Sequence, residues 1–219
     1  MAQYSNEILN MFGAPELHEL TECGARDLSQ QIPRHLLDSA FWNHVFGIMY
    51  PDRSVQHMQL TFLRRAYASV TEYDTARLAL ERYVDGIHAQ RHDLGASLSA
   101  LTHFEQCIGQ VWQAVELFNR LEHTILASGV RKVTAYKAGA GSDLERTHML
   151  YNVIKHFDAD QAAVASAPIW ITNRGLKSSG AFVSFAELEE TIKSLITVAE
   201  DIFVRIPNEA RERQRARSS

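Results

Sequence analysis

VQHMQLTFLRRAYASVTEYDTARLALERYVDGI, residues 55–87, decides the fold. The run contains no proline and Gly86 as its one glycine, and Leu60, Leu63, Tyr67, Val70, Tyr73, Ala76, Leu80 and Val84 return every three or four positions. That period predicts a long α-helix with one apolar face. Pro51-Asp52-Arg53-Ser54 before it reads as a break followed by an N-cap. After a polar turn around Arg91-His92-Asp93, the pattern repeats to Glu122 through Leu98, Leu101, Phe104, Ile108, Val111, Val115, Phe118 and Leu121. Two long helices joined by a short turn predict an antiparallel pair.

Outward from this pair the chain changes character twice. Ser128 to Ser142, with its run Ala138-Gly139-Ala140-Gly141, reads as an open loop, and Ser142 is placed to cap a third helix from Leu144 to Asp158. After Ala167, the runs Pro168-Ile169-Trp170-Ile171-Thr172 and Ala181-Phe182-Val183-Ser184 are β-rich, and the polar stretch Asn173 to Gly180 reads as the turn of a small hairpin. Ser184 and Glu187 have the spacing of a capping box, opening a fourth helix through Leu188, Ile192, Leu195, Ile196, Val198, Ala199, Ile202 and Phe203 to about Val204, with Pro207 ending it. Residues 1–50 are harder to read. Tyr4 to Phe12 suggests a short amphipathic helix, and Pro33 suits the first position of another over His35 to Met49. The expected architecture is all-α: an up-and-down bundle of four main helices over residues 51–206, a helical extension over 1–50, a small β-hairpin before the last helix, and a basic tail over 207–219.

Composition limits the functional classes. A chain of 219 residues with 46% hydrophobic content buries a core of one domain and leaves no room for a second catalytic domain. Its 22 basic and 26 acidic residues give a net charge of −4, so any affinity for nucleic acid must come from a local patch. Cys23 and Cys107 lack metal-type spacing and read as two reduced thiols. No apolar run approaches the roughly 20 residues that span a bilayer, and Met1 to Phe12 lacks a secretory leader pattern. These features lead to the expectation of a cytoplasmic protein with no membrane association.

The residues that carry chemistry gather in LERTHMLYNVIKHFD, residues 144–158. His148, Asn152 and His156 recur every four positions and form one stripe on the helix, flanked by Glu145 and Lys155, while Leu150, Val153, Ile154 and Phe157 gather opposite. An imidazole moves protons near neutral pH, and a neighbouring Lys or Asn holds a phosphate or orients the ring. His156, Asn152 and Lys155 meet that description. Glu145 and His148 also form a Glu-x-x-His unit of the kind that helical bundles use for two metal ions, but no second such unit occurs and Asn152 is a poor transition-metal ligand. No metal and no cofactor are therefore expected. His57, His103 and His123 are scattered singly and receive no role.

Tyr151-Asn152-Val153-Ile154-Lys155-His156, on the third helix of such a bundle, resembles the Arg-Asn-x-x-x-His signature of the HEPN superfamily. Asn152 falls on the family's common Asn and His156 on its His; Tyr151 occupies the place of its catalytic Arg. The resemblance implies a four-helix bundle over residues 54–206 that forms a homodimer. In active members it implies a metal-independent ribonuclease whose Arg and His meet those of a second subunit. Arg146 lies ten residues before His156, about 15 Å along a helix, so within one subunit it cannot replace an Arg five positions away. Stabilising the negative charge on the phosphoryl oxygens normally contributes the larger catalytic term, and Tyr151 cannot supply the positive charge it needs. The expected function is a HEPN-like binding or regulatory module engaging RNA or a nucleotide through Lys155, His148, Tyr151 and Arg146. The alternatives are a ribonuclease of the toxin or defence type using His156 with Asn152, and an interaction scaffold whose stripe is only surface.

Overall fold

In the computed structural model, the described residues are 20–45, 52–91, 93–125, 139–156, 169–178, 180–208 and 212, the side chains of 44, 45, 123–125 and 156 excepted. The expected helix at Tyr4 to Phe12, the loop over 128–138, Phe157, Asp158 and most of the tail lie outside them. In chain order the elements are α1 (Arg34–Val45), α2 (Arg53–His88), α3 (Leu94–Ile125), α4 (Asp143–His156), β1 (Trp170–Thr172), β2 (Gly175–Ser178), β3 (Ala181–Ser184) and α5 (Phe185–Glu200), followed by one wide π-type turn, Asp201–Arg205. The protein is mostly helical and carries one small antiparallel sheet.

Asp52 caps α2, accepting from the Ser54 amide at 2.7 Å. At the far end the chain reverses within a few residues, because Gln90 adopts a left-handed φ of 55° and the Arg91 amide donates to the Gly86 carbonyl at 2.7 Å. A Cβ on Gly86 would lie 2.7 Å from the Arg91 carbonyl oxygen, so glycine is required there. Asp93 then caps α3 through the Ala96 amide at 3.0 Å. The pair is antiparallel along its length: Arg65 donates to Gln110 at 2.9 Å, the Cys107 thiol to the Ser69 carbonyl at 3.4 Å, and His103 meets Glu72 at 2.7 Å. As numbers rise on α2 they fall on α3.

The core between these helices is aromatic. Tyr73 meets Phe104 edge-on at 5.7 Å, and Phe104 stacks on Phe185 at 5.2 Å, so one line of rings joins α2, α3 and α5. The Tyr73 hydroxyl donates to buried Glu189 at 2.7 Å. Burial first, and the Glu189 carboxylate second, push that phenol well above its ordinary pKa. Burial likewise pushes the Cys107 thiol up, and both cysteines are unbridged.

The sheet corrects the expected hairpin. Residues 175–178, which read as part of a turn, form the middle strand: β1 pairs with β2 and β2 with β3, all antiparallel, with Ile171 opposite Leu176 and Leu176 opposite Val183. Gly175 misleads because its role is packing. A Cβ there would sit 2.1 Å from the Val183 carbonyl oxygen, so the glycine permits close approach of two strands. Ser184 and Glu187 form the capping box of α5 as their spacing predicts. The end of that helix differs from expectation, since residues 206–208 are helical and Pro207 lies within them. Pro207 offers no N–H to the Phe203 carbonyl four residues earlier, and the Asn43 side-chain amide donates to that oxygen at 2.7 Å. α1 thus packs on the end of α5, burying Leu36 and Ala40 in the same core.

Candidate functional site

α4 is set down by its first turn. Ser142 caps it, its hydroxyl accepting from the Glu145 amide at 3.2 Å. Gly139 and Gly141, both with positive φ, aim their amides at the Glu145 carboxylate at 2.6 and 2.5 Å. These two bonds hold the Glu145 carboxyl below the ordinary glutamate range. Leu144, Thr147 and Leu150 are buried, with Tyr151, Val153 and Ile154 partly so.

Arg146 fixes the helix against the sheet. Its Nε donates to the Phe182 carbonyl at 3.0 Å, one terminal nitrogen donates to the Gly141 carbonyl, and the other pairs with Glu187. A guanidinium engaged on these three sides is a clamp between the loop, β3 and α5. The expected ligand-binding role of Arg146 therefore competes with a structural one.

The polar stripe lies along the α3 side of α4. His148 stacks on Trp112 with ring centroids 4.2 Å apart and planes 20° from parallel. Asn152 Nδ2 stands 3.2 Å from His148 Nε2, which steadies the imidazole against the indole. Tyr151 borders the same indole at 6.2 Å, and the exposed Lys155 carries its ammonium 5.9 Å from the Tyr151 ring centroid, within cation–π range. The structure thus brings His148, Tyr151, Asn152 and Lys155 together. His156 ends the helix, and its side chain lies outside the described residues.

Trp112 and Glu116 belong to this cluster and carry no role in the sequence reading. Trp112 is only 6% exposed, and its indole N–H donates to Glu116 at 3.2 Å. The signal for them was present: a tryptophan beside the core position Val111 needs an acceptor for its N–H, and Glu116 stands one helical turn on. The Glu-x-x-His unit is divided by the fold. Glu145 turns to the glycine amides and His148 to Trp112. Among the described residues, no three His, Cys, Asp or Glu side chains converge where one metal ion would sit, and no helix is long and apolar enough to cross a membrane.

The chain matches no protein-family model, no curated protein and no solved structure.

Proposed function

We propose that this protein is a HEPN-like binding module that engages single-stranded RNA or a nucleotide through α4, as a homodimer. The observation that carries the reading is the ordered Trp112–His148 stack with Tyr151 beside it and Lys155 exposed above the Tyr151 ring. Buried Trp112 backs His148, and the half-buried His148 and Tyr151 rings next to a cation that meets a phosphate supply the aromatic surface and the positive charge that single-stranded nucleic acid recognition uses. The −4 net charge makes Lys155 matter more, because the rest of the molecule supplies no general attraction for a polyanion. With Arg146 engaged by Glu187, Phe182 and Gly141, the site has no arginine poised on α4 for transition-state charge, which favours binding over cutting.

The test is anisotropy of a labelled single-stranded RNA titrated with the full chain in chelator, at two salt concentrations. Binding should weaken with salt. Lys155→Ala should flatten the log–log salt slope by about 0.7, the value for one phosphate contact on a single strand. Tyr151→Ala should cost about 1–3 kcal/mol, the range for one base stack. Absence of binding at physiological salt, or binding indifferent to both substitutions, rejects the proposal. RNA cleavage in chelator that disappears in His156→Ala replaces it with the ribonuclease reading.

A further inference from the structure

The three-stranded sheet buries one face and leaves the other open. Ile171, Leu176 and Val183 lie in the core, so their neighbours along each strand point the opposite way. On that outer face the register sets Trp170 of β1 opposite Lys177 of β2, and Lys177 opposite Phe182 of β3. Directly opposed residues of antiparallel strands carry their Cβ atoms about 4.5–5.5 Å apart, so a lysine stands in one row between two aromatic residues. Lys177 is exposed, Phe182 is 40% exposed and Trp170 is half-buried. Among the described residues, the Lys177 ammonium has no hydrogen-bond or ion-pair partner. The row also adjoins α4. Arg146 donates to the Phe182 carbonyl, and Met149, itself 40% exposed, stands against the turn before β3, where a Cβ on Gly180 would lie 3.4 Å from its Cε. Met149 follows His148 directly and precedes Asn152 by three residues, so the sheet row and the α4 cluster border one another.

We propose that the outer face of the sheet is a second contact site for single-stranded RNA, with Phe182 and Trp170 offering rings to bases and Lys177 meeting the phosphate between them. The class of ligand rests on the α4 reading proposed above. Charge selects this occupant over an apolar partner, which would bury the Lys177 ammonium unpaired at a large desolvation cost. A polyanion pairs it instead. Residues 169–184 contain Arg174 and Lys177 and no Asp or Glu, although the chain as a whole carries a net charge of −4. Glu187, just beyond the sheet, is committed to Arg146 and Ser184. Aromatic residues exposed on a sheet face stack bases of a single strand without requiring one sequence, and the cation beside them tracks the backbone. Because the row borders the α4 cluster at Met149, one strand of several nucleotides reaches both sites, and contact at either raises the effective concentration at the other.

The experiment is anisotropy of a labelled single-stranded RNA of about 12 nucleotides, titrated with the full chain and with its Phe182→Ala, Phe182→Tyr, Lys177→Ala and Lys155→Ala variants. Phe182→Ala removes the ring and keeps the backbone carbonyl that Arg146 holds, so α4 stays docked. It should weaken binding about 5- to 150-fold, the range for one base stack, while Phe182→Tyr should retain the affinity. Lys177→Ala should flatten the log–log salt slope by about 0.7, in addition to the change from Lys155→Ala. Loss at the sheet together with loss at Lys155 supports one strand on both sites. Loss at the sheet alone upholds the sheet site and rejects the α4 reading; loss at Lys155 alone does the reverse. Absence of binding at physiological salt rejects both. A dimer that Phe182→Ala dissociates in sedimentation velocity, with RNA affinity unchanged, would make the row a self-association surface and overturn the proposal. Should Phe182→Ala not fold, Lys177→Ala and Lys177→Glu decide, since an exposed lysine is replaced at little cost in stability. Affinity and salt slope unchanged in both would then sink the sheet site.

Discussion

Glu187 serves two structures with one carboxylate. It closes the capping box of α5 by accepting from the Ser184 amide at 2.9 Å and hydroxyl at 2.8 Å, and it pairs with the Arg146 clamp of α4. Burial alone would raise its pKa; the Ser184 bonds and the Arg146 guanidinium outweigh burial and hold it below the ordinary glutamate value. The sign follows. A carboxyl with a lowered folded-state pKa contributes stability above its unfolded pKa, about 4.3, and loses it as pH falls through the folded value. Glu187→Gln keeps a capping acceptor but removes the charge. With the carboxylate side chain 36% exposed, solvent screening limits the loss to about 0–1 kcal/mol at pH 7. Thermal melts of both proteins between pH 7 and pH 3 should show a gap that closes toward the acid end. A gap constant with pH would mean that the charge on Glu187 contributes nothing.

The elements were legible where a local pattern determines them. The period of Leu60 to Val84 marks α2, its repeat marks α3, and Ser142 and the Ser184–Glu187 pair mark two helix starts that the structure shows in place. Local pattern cannot reveal what an element meets. The α4 stripe was visible as a face, but its partner Trp112 lies on another helix, so the stack on His148 exists only after α3 and α4 pack. The middle strand was hidden for the opposite reason: Gly175 and its polar neighbours look like a turn, whereas the glycine answers to a carbonyl on β3. A direct consequence is that Gly175→Ala should be costly although alanine is the smallest change available. Its Cβ would meet the backbone at Val183 at 2.1 Å, which side-chain motion cannot relieve. Overpacking of this kind costs about 1–3 kcal/mol. Urea unfolding should show that loss, whereas Gly109→Ala, on α3 with nothing within 4 Å of the added Cβ, should stabilise or be neutral. Equal effects at the two positions would contradict the role assigned to Gly175.

At the scale of the whole molecule, the described part of residues 1–50 belongs to the same apolar core as the long helices. Leu20, Leu28, Leu36 and Ala40 join Phe62, Tyr73, Phe104, Phe185 and the sheet residues Ile171, Leu176 and Val183 in one continuous cluster. A core shared by the described residues favours cooperative unfolding of the elements that line it. Asn43 tests this directly, since its side-chain amide ties α1 to the Phe203 carbonyl. Asn43→Ala should cost about 0.5–1.5 kcal/mol, the net contribution of one hydrogen bond. In a variant retaining Trp42 but with Trp112 and Trp170 replaced by Phe, Trp42 fluorescence reports α1 while far-ultraviolet ellipticity reports the helices together. Both signals should melt at one temperature, and Asn43→Ala should lower both by the same amount, about 2–4 °C per kcal/mol for a chain of this size. An earlier transition seen by Trp42 alone would make α1 an appendage. A shared shift instead means that a hydrogen bond near the end of α1 stabilises helices far along the chain, because one core transmits its loss to all of them.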